Sequence, residues 1–409
     1  MVLLFAWKNL WRNKRRTLLA ASSIFFAVLL AACMRAMQLG TYEYMVTNSV
    51  SLYTGYLQVQ GNGYWEDRSF DESFEPSRPL MESLRRNPHI TTINPRLETV
   101  ALISHGTETR IAPVSGISPA EENAMTGLAG RIVKGKYLSD SSKGIMVSEG
   151  LADRLNIRIG DSLIVFGQGY QGVTAAAQLE VEGILHFPIP QLNNAMAFLS
   201  LPNAQNIFNT YGRVTSVVLM IDDATMMKQI QAGLSAAIDS SLVIKNWEEM
   251  TPELVQSIEA DNASGILMLG ILYVVIGFGV FGTVMMMVIE RTREFGLLIA
   301  LGMRRSRLLT VTTLEAVLVS MIGAVAGMAG SFPIILYFHR NPIHVTGELA
   351  KAYLAWGIEP IIPISIHPSI FISQTVVVFL IALATSLYPL FFIRKIHPVS
   401  AIQGRGGTQ

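Results

Sequence analysis

The stretch ERTREFGLLIALGMRR, residues 290–305, is a short charged segment wedged between two long apolar runs. The runs on either side, residues 264–289 and 308–338, each exceed the roughly 20 residues with which a helix crosses a bilayer. The wedge therefore sits at one membrane face. As a helix it would set Arg291, Glu294 and Leu298 at i+3 and i+4 spacing and gather Phe295, Leu298, Ile299 and Gly302 into an apolar stripe. Such a helix lies flat or docks into a groove; on pattern alone, an ordinary amphipathic cytoplasmic loop is the alternative.

Composition agrees with a membrane protein that carries a water-soluble portion. Of 409 residues 50% are hydrophobic and 15% charged, and mean hydropathy is +0.40, too apolar for an ordinary soluble chain of two domains. A net charge of +1 lacks the basic excess of a nucleic-acid binder, so no nucleic-acid partner is expected. The single cysteine, Cys33, permits no disulfide within the chain and no multi-cysteine metal site, so an exported domain must be held by its core alone.

Toward the N-terminus, residues 1–16 (MVLLFAWKNLWRNKRR) place Lys8, Arg12, Lys14, Arg15 and Arg16 beside Leu3, Leu4, Trp7, Leu10 and Trp11 with no acidic residue, the pattern of an interfacial amphipathic helix. Residues 17–39 are apolar enough to span, with Arg35 near the far end, where its side chain is expected to snorkel to the headgroups. The basic cluster keeps the near side in the cytoplasm. A rival reading takes Leu30-Ala31-Ala32-Cys33 as resembling the cleavage box of bacterial lipoproteins. The apolar run, however, is longer than the roughly 7–15 residues of a signal core and continues past the cysteine toward Leu39. Cys33 is then a small buried residue.

Residues 40–262 have dispersed charges, Gly and Pro turns and no run long enough to span, as expected of an extracytoplasmic domain. Alternation predicts strands over 55–60, 179–185, 195–200 and 214–221, helices over 80–87, 202–209 and 224–238, and strand, helix, strand over 144–165, a mixed α+β pattern. Residues 167–177 (GQGYQGVTAAA) are small and polar and suit an exposed hairpin or loop. Residues 264–289 and 308–338 are the second and third crossings. The first of these holds Gly265, Gly270, Gly277, Gly279 and Gly282, and the next holds Gly323, Gly327 and Gly330. Gly323-x-x-x-Gly327 permits close helix packing, with a kink as the alternative reading. Residues 339–369 form an outer loop whose His339, His344 and His367 match no metal-ligand spacing. Residues 370–393 make the fourth crossing, and 394–409, opening with Arg394 and Lys395, form a cytoplasmic tail, so both termini lie inside.

The run Glu290-Arg291-Thr292-Arg293-Glu294-Phe295-Gly296, followed by Ala300-Leu301-Gly302, resembles the loop after the second membrane helix in the FtsX-like (type VII) ABC permease family, which includes macrolide exporters and lipoprotein-releasing permeases. Weaker matches follow the order and spacing of lipoprotein-releasing permeases: Val114-Ser115-Gly116-Ile117, residues 144–161 with Leu151-Ala152 and Ile159-Gly160-Asp161, Val181-Glu182-Gly183-Ile184, and Pro202-Asn203-Ala204-Gln205. The tail RKIHPVSAI, residues 394–402, resembles the family's closing pattern. The resemblance implies an α-helical membrane protein with four transmembrane helices and a large α+β extracytoplasmic (periplasmic) domain between helices 1 and 2. That domain would divide into a porter-like part, 40–95 with 215–262, around an inserted β-rich part, 96–214. The resemblance also makes 290–305 a coupling helix that fits the cleft of a separate ATPase, with Glu290, Arg293, Glu294, Phe295 and Gly296 at the contact. In one lipoprotein-releasing subunit a proline-bearing hairpin in the region of 167–177 captures the soluble carrier protein; this chain has no proline there, and the role is not carried over.

No G-x-x-x-x-G-K-[ST], H-E-x-x-H or G-x-S-x-G motif occurs. The chain is therefore expected to be a non-catalytic subunit with no metal or cofactor of its own, ATP being bound by the partner ATPase. The acidic residues within apolar segments are read as forming no relay, and the spans as lacking the paired charges of a polar pore. The resemblance implies mechanotransmission in the bacterial inner membrane: a pair of permeases, homo- or heterodimeric, moved by an ATPase dimer. Lipoprotein release is the favoured output, with a lipoprotein or periplasmic protein as partner. Export of a peptide or drug through a periplasmic adaptor and control of a cell-wall hydrolase are the alternatives within the class. A membrane-anchored receptor lies outside it.

Overall fold

The computed structural model describes residues 7–8, 10–12, 14–355 and 359–388. The readings of residues 1–6, of the fourth crossing beyond 388 and of the tail lie outside the described residues. Two compact units divide the chain. One gathers the chain up to Glu43 with Ser257–His344 and the segment from Ile361, and the other comprises Tyr44–Gln256 and Val345–Pro360.

Among the described residues four helices are long and apolar enough to cross a membrane. They are α1 (Lys14–Ser49), α2 (Pro252–Glu290), α4 (Arg305–Arg340) and α5 (Pro368–Thr385), with the short α3 (Thr292–Ala300) between α2 and α4. α1 runs on to Ser49 and α2 starts at Pro252, beyond the apolar runs. In the first unit Ile24 and Val28 of α1, Ile276, Val280 and Val284 of α2, Ala316 and Ala324 of α4, and Val378 of α5 meet in one cluster. α1 and α4 come especially close. A Cβ on Gly323 would lie 2.7 Å from the Ala21 carbonyl oxygen, and one on Gly327 2.7 Å from that of Phe25. Near the far end of the first span, Arg35 Nη1 donates to Gln38 Oε1 at 2.6 Å and to Asn262 Oδ1 at 2.8 Å, so acceptors on α1 and α2 hold the guanidinium. α1 passes unbroken through Cys33, which is half-buried. His339 is held by the Ile364 carbonyl at 2.6 Å, and His367 caps α5 by accepting from the Ser369 N–H.

The second unit is built on one sheet of ten strands among the described residues. They are β1 (Leu57–Gly61), β2 (Ile90–His105), β3 (Glu108–Ile117), β4 (Ile132–Gly135), β5 (Ile145–Ser148), β6 (Ser162–Gln168), β7 (Thr174–Leu185), β8 (Ala197–Ser200), β9 (Ser216–Ile221) and β10 (Leu242–Asn246). The order is β10-β1-β9-β2-β3-β8-β5-β7-β4, with β6 beside β2 and β7. Helices Arg78–Arg86 and Met227–Ser235 cover the β1-β9-β10 end, where Leu57, Val59, Leu84, Val217, Leu219, Ile230 and Ile244 form one core. Helices Glu149–Leu155 and Leu201–Ile207 join a second core around Ile103, Val114, Ile145, Leu151, Val165, Val181, Leu199 and Phe208.

Strand β2 belongs to both ends: its first residues pair with β9 and its last with β6, while β3 accompanies it from Arg96 onward. The expected division at residue 96 therefore falls inside a strand. Alternation missed β2 because Asn94, Arg96 and Glu98 are buried where apolar residues would be expected. Arg96 is satisfied there by a bidentate pair, Nε and Nη2 each 2.8 Å from a Glu122 carboxylate oxygen, with both side chains under 5% exposed. The segment 167–177 is largely strand, and its turn is only residues 169–173. That turn is tied down: the Tyr170 N–H donates to the Phe208 carbonyl at 3.0 Å, the Gln171 N–H to Asp71 Oδ1 at 3.0 Å, and Arg213 stacks on the Tyr170 ring. The expected outer loop contains a helix, Glu348–Ala355.

Candidate functional site

The helix predicted over 290–305 is shorter in the structure. α2 ends at Glu290, Arg291 leaves helical geometry at φ −97° and ψ 9°, and α3 covers Thr292–Ala300. Its C-terminus is closed by a Schellman motif: the Gly302 N–H donates to the Ile299 carbonyl at 3.0 Å and the Met303 N–H to the Leu298 carbonyl at 2.9 Å. The motif needs a left-handed residue after the cap, and Gly302 supplies it at φ +93°. Gly302 is thus a stop signal and lies off the apolar stripe to which its spacing assigned it.

The inward face of α3 is settled by packing. Phe295, 1% exposed, sits with Val288 of α2 and Leu308 of α4, and Leu298, Ile299 and Met303 close around them. Gly296 is also buried. Phe295, assigned by resemblance to a contact with another protein, thus packs against this chain's own helices. Arg293, Glu294, Leu297, Ala300 and Leu301 are exposed, and Arg304 and Arg307 follow them on the surface. Glu290 is exposed at the end of α2.

A line of charges crosses this region. Arg12 Nη2 donates to both carboxylate oxygens of Glu294, at 2.8 and 2.9 Å. Arg291 Nε reaches the same carboxylate at 3.1 Å, while its Nη1 donates to Glu315 Oε2 at 2.6 Å. Arg12 and Glu294 are about half exposed, but Arg291 is 13% and Glu315 5% exposed, so the second pair is nearly out of solvent. The Arg291 guanidinium also lies 5.4 Å from the Phe295 ring centroid. Partial burial pushes the Glu294 carboxyl up, but hydrogen bonds from Arg291 and Arg12 outweigh it and hold the group below the ordinary glutamate range.

This network takes in an acidic residue from within an apolar segment. Glu315 stands in the third crossing and is joined through Arg291 and Glu294 to the N-terminal basic segment. Sequence reasoning singled out neither Arg12 nor Glu315 at this site. A lone carboxylate in an apolar run was the available signal, since a charge there requires a partner.

A family model described as FtsX-like permease C-terminal matches residues 266–398, and one described as MacB-like periplasmic core domain matches residues 17–237, more than half of the chain. The lipoprotein-releasing system transmembrane protein LolE of Haemophilus influenzae is 20% identical over 79% of this chain and 80% of its own length. The macrolide export ATP-binding/permease protein MacB 1/2 of Paracoccus denitrificans is 24% identical over 85% of this chain and 54% of its own length, so the chain spans about half of that relative. The solved periplasmic region of MacB from Actinobacillus actinomycetemcomitans matches 53% of this chain and 98% of its own with a TM-score of 0.36 at 14% identity.

Proposed function

The chain belongs to the ABC transporter permeases that combine a MacB-like periplasmic core domain with an FtsX-like membrane domain, and from that premise we propose that it works by mechanotransmission for an ATPase carried on a separate chain. The observation that carries this reading is α3, a capped helix held between the second and third crossings with Arg293, Leu297 and Leu301 turned outward. Two exposed leucines flanked by arginines give a partner both apolar adhesion and charge register. Of the five residues assigned by resemblance, Arg293 and Glu294 lie on this outer face. Glu290 adjoins it at the end of α2, Phe295 forms the seat beneath, and Gly296 is buried beside it.

In this mechanism two such permeases, identical or different, sit over an ATPase dimer. ATP bound by the ATPases closes them, α3 is pushed, and the movement passes up the membrane helices to the periplasmic domains. The termini and α3 lie in the cytoplasm, and residues 40–262 and 339–369 outside. The work done there is release of lipoproteins from the inner membrane. The similarity to the lipoprotein-releasing relative, which runs through both the membrane and the periplasmic parts over 79% of this chain, supports that choice.

Purification in mild detergent is the first test. A chain bearing a Walker A motif is expected to accompany this one, and its absence across several detergents would overturn the proposal. Depletion in cells should strand acylated proteins in the inner membrane of spheroplasts while leaving macrolide susceptibility unchanged. The reverse outcome would assign the chain to drug export.

A further inference from the structure

The geometry points to Arg291 and Glu315 as positioning residues: their ion pair is the brace that makes α3 and α4 move as one body. The inference rests on the reading of α3 as the element pushed by an ATPase. α3 is joined to α2 through a single non-helical residue, Arg291, and to α4 through residues 301–304, which include a left-handed glycine. Joints of that kind rotate easily, so a push on α3 alone would be lost as hinge motion.

What opposes the rotation is the charge line. Arg291 stands at the first joint and reaches across to Glu315, ten residues into α4, about 15 Å along the helix from its start. Because the guanidinium is a rigid fork, it holds Glu294 of α3 through Nε and Glu315 of α4 through Nη1 at once. Phe295 packs below, against Val288 and Leu308. Separating α3 from α4 would break this nearly buried pair and take from Glu315 its 2.6 Å guanidinium donor, a cost that an exposed pair does not carry. The pair therefore resists opening far more than exposed Arg12–Glu294 does. A displacement of α3 reaches α4, whose buried Ala316, Gly323, Ala324 and Gly327 line its packed face.

The test uses the full complex with its ATPase, in a Cys33→Ser background, with spin labels on cysteines replacing Val325 of α4 and Val376 of α5. Both positions are exposed and far along their helices from α3. Vanadate trapping of ATP is expected to shift the distance between the labels. Glu315→Gln keeps the shape and removes the charge, and Arg291→Lys keeps the charge but cannot hold both carboxylates. Each should retain ATPase binding and hydrolysis yet lose the shift. No shift in the otherwise unaltered labelled protein, or an undiminished shift in both single variants, overturns the inference. Failure of any ATPase to bind the unaltered protein would instead overturn the proposed function.

Discussion

Replacing Gly323 or Gly327 by alanine tests the close approach of α1 and α4. At Gly323 the new Cβ would fall 2.7 Å from the Ala21 carbonyl oxygen and 2.8 Å from Ile24 Cβ; at Gly327 it would fall 2.7 Å from the Phe25 carbonyl oxygen and 3.0 Å from Val28 Cβ. Non-bonded carbons rest roughly 3.5–4.0 Å apart, so the helices must part locally by about 0.7–1 Å, and a gap of that size forfeits about a quarter to a half of each neighbouring dispersion contact. Overpacking of this kind costs about 1–3 kcal/mol. Because the obstacle is largely helix backbone, it cannot swing aside. At Gly330 it is the far end of the Phe25 ring, 2.9 Å away, which can move. Around Gly279 and Gly282 nothing among the described residues lies within 4 Å, so alanine there should be neutral or stabilising by up to about 1 kcal/mol through helix propensity. Reversible unfolding of the purified protein in mixed micelles with rising SDS should therefore rank Gly323→Ala and Gly327→Ala as most harmful, Gly330→Ala next, and Gly279→Ala least. Equal losses at Gly323 and Gly279 would refute intrachain packing as the role of the third-crossing glycines.

Glu122→Ala in the full chain should lower stability by about 3 kcal/mol, because it takes the bidentate partner from buried Arg96 and leaves it Glu98 at 3.6 Å and the Tyr53 carbonyl, and Glu122→Gln should lower it less; loss of secretion-competent folding, read by protease resistance in spheroplasts, checks both. Glu294→Lys places two arginines and a lysine together and should abolish transport with the membrane and periplasmic domains intact. Glu348→Lys, in an exposed pair with Lys351, should be close to neutral, and reconstituted ATPase activity compared side by side decides between them. Since the folded pKa of Glu294 lies below its ordinary value, its contribution is present above roughly pH 4.3 and fades as pH falls through the folded value. Hydrogen-exchange protection of α3, corrected for intrinsic rates, should fall over that range, and Glu294→Gln should remove the dependence. Gly302→Val forces a β-branched residue to φ +93° and should loosen the end of α3 by about 1–3 kcal/mol, detectable as faster exchange at residues 298–303.

Much of this architecture was legible because it is local. Four apolar runs of spanning length declare four crossings, since lipid requires continuous helices. The strand-helix-strand pattern over 144–165 likewise reads directly from alternation, and the structure has β5, helix Glu149–Leu155 and β6 there. β2 stayed hidden because buried Asn94, Arg96 and Glu98 break the pattern by which a strand is recognised.

Residue order alone places a charged segment between the second and third crossings, puts its apolar residues on one helical face, and shows no phosphate-binding loop in these 409 residues. It did not determine which way that face turns. Phe295 reads equally well as an anchor for a partner or as a plug against Val288 and Leu308, because periodicity reports that a residue is buried, not against what. Only the tertiary structure decided that Arg12, 282 residues away in the chain, meets Glu294, and that Arg291 meets Glu315 in an apolar helix. Such pairings depend on where whole helices dock, and docking is fixed by packing summed over many residues rather than by any short stretch of sequence.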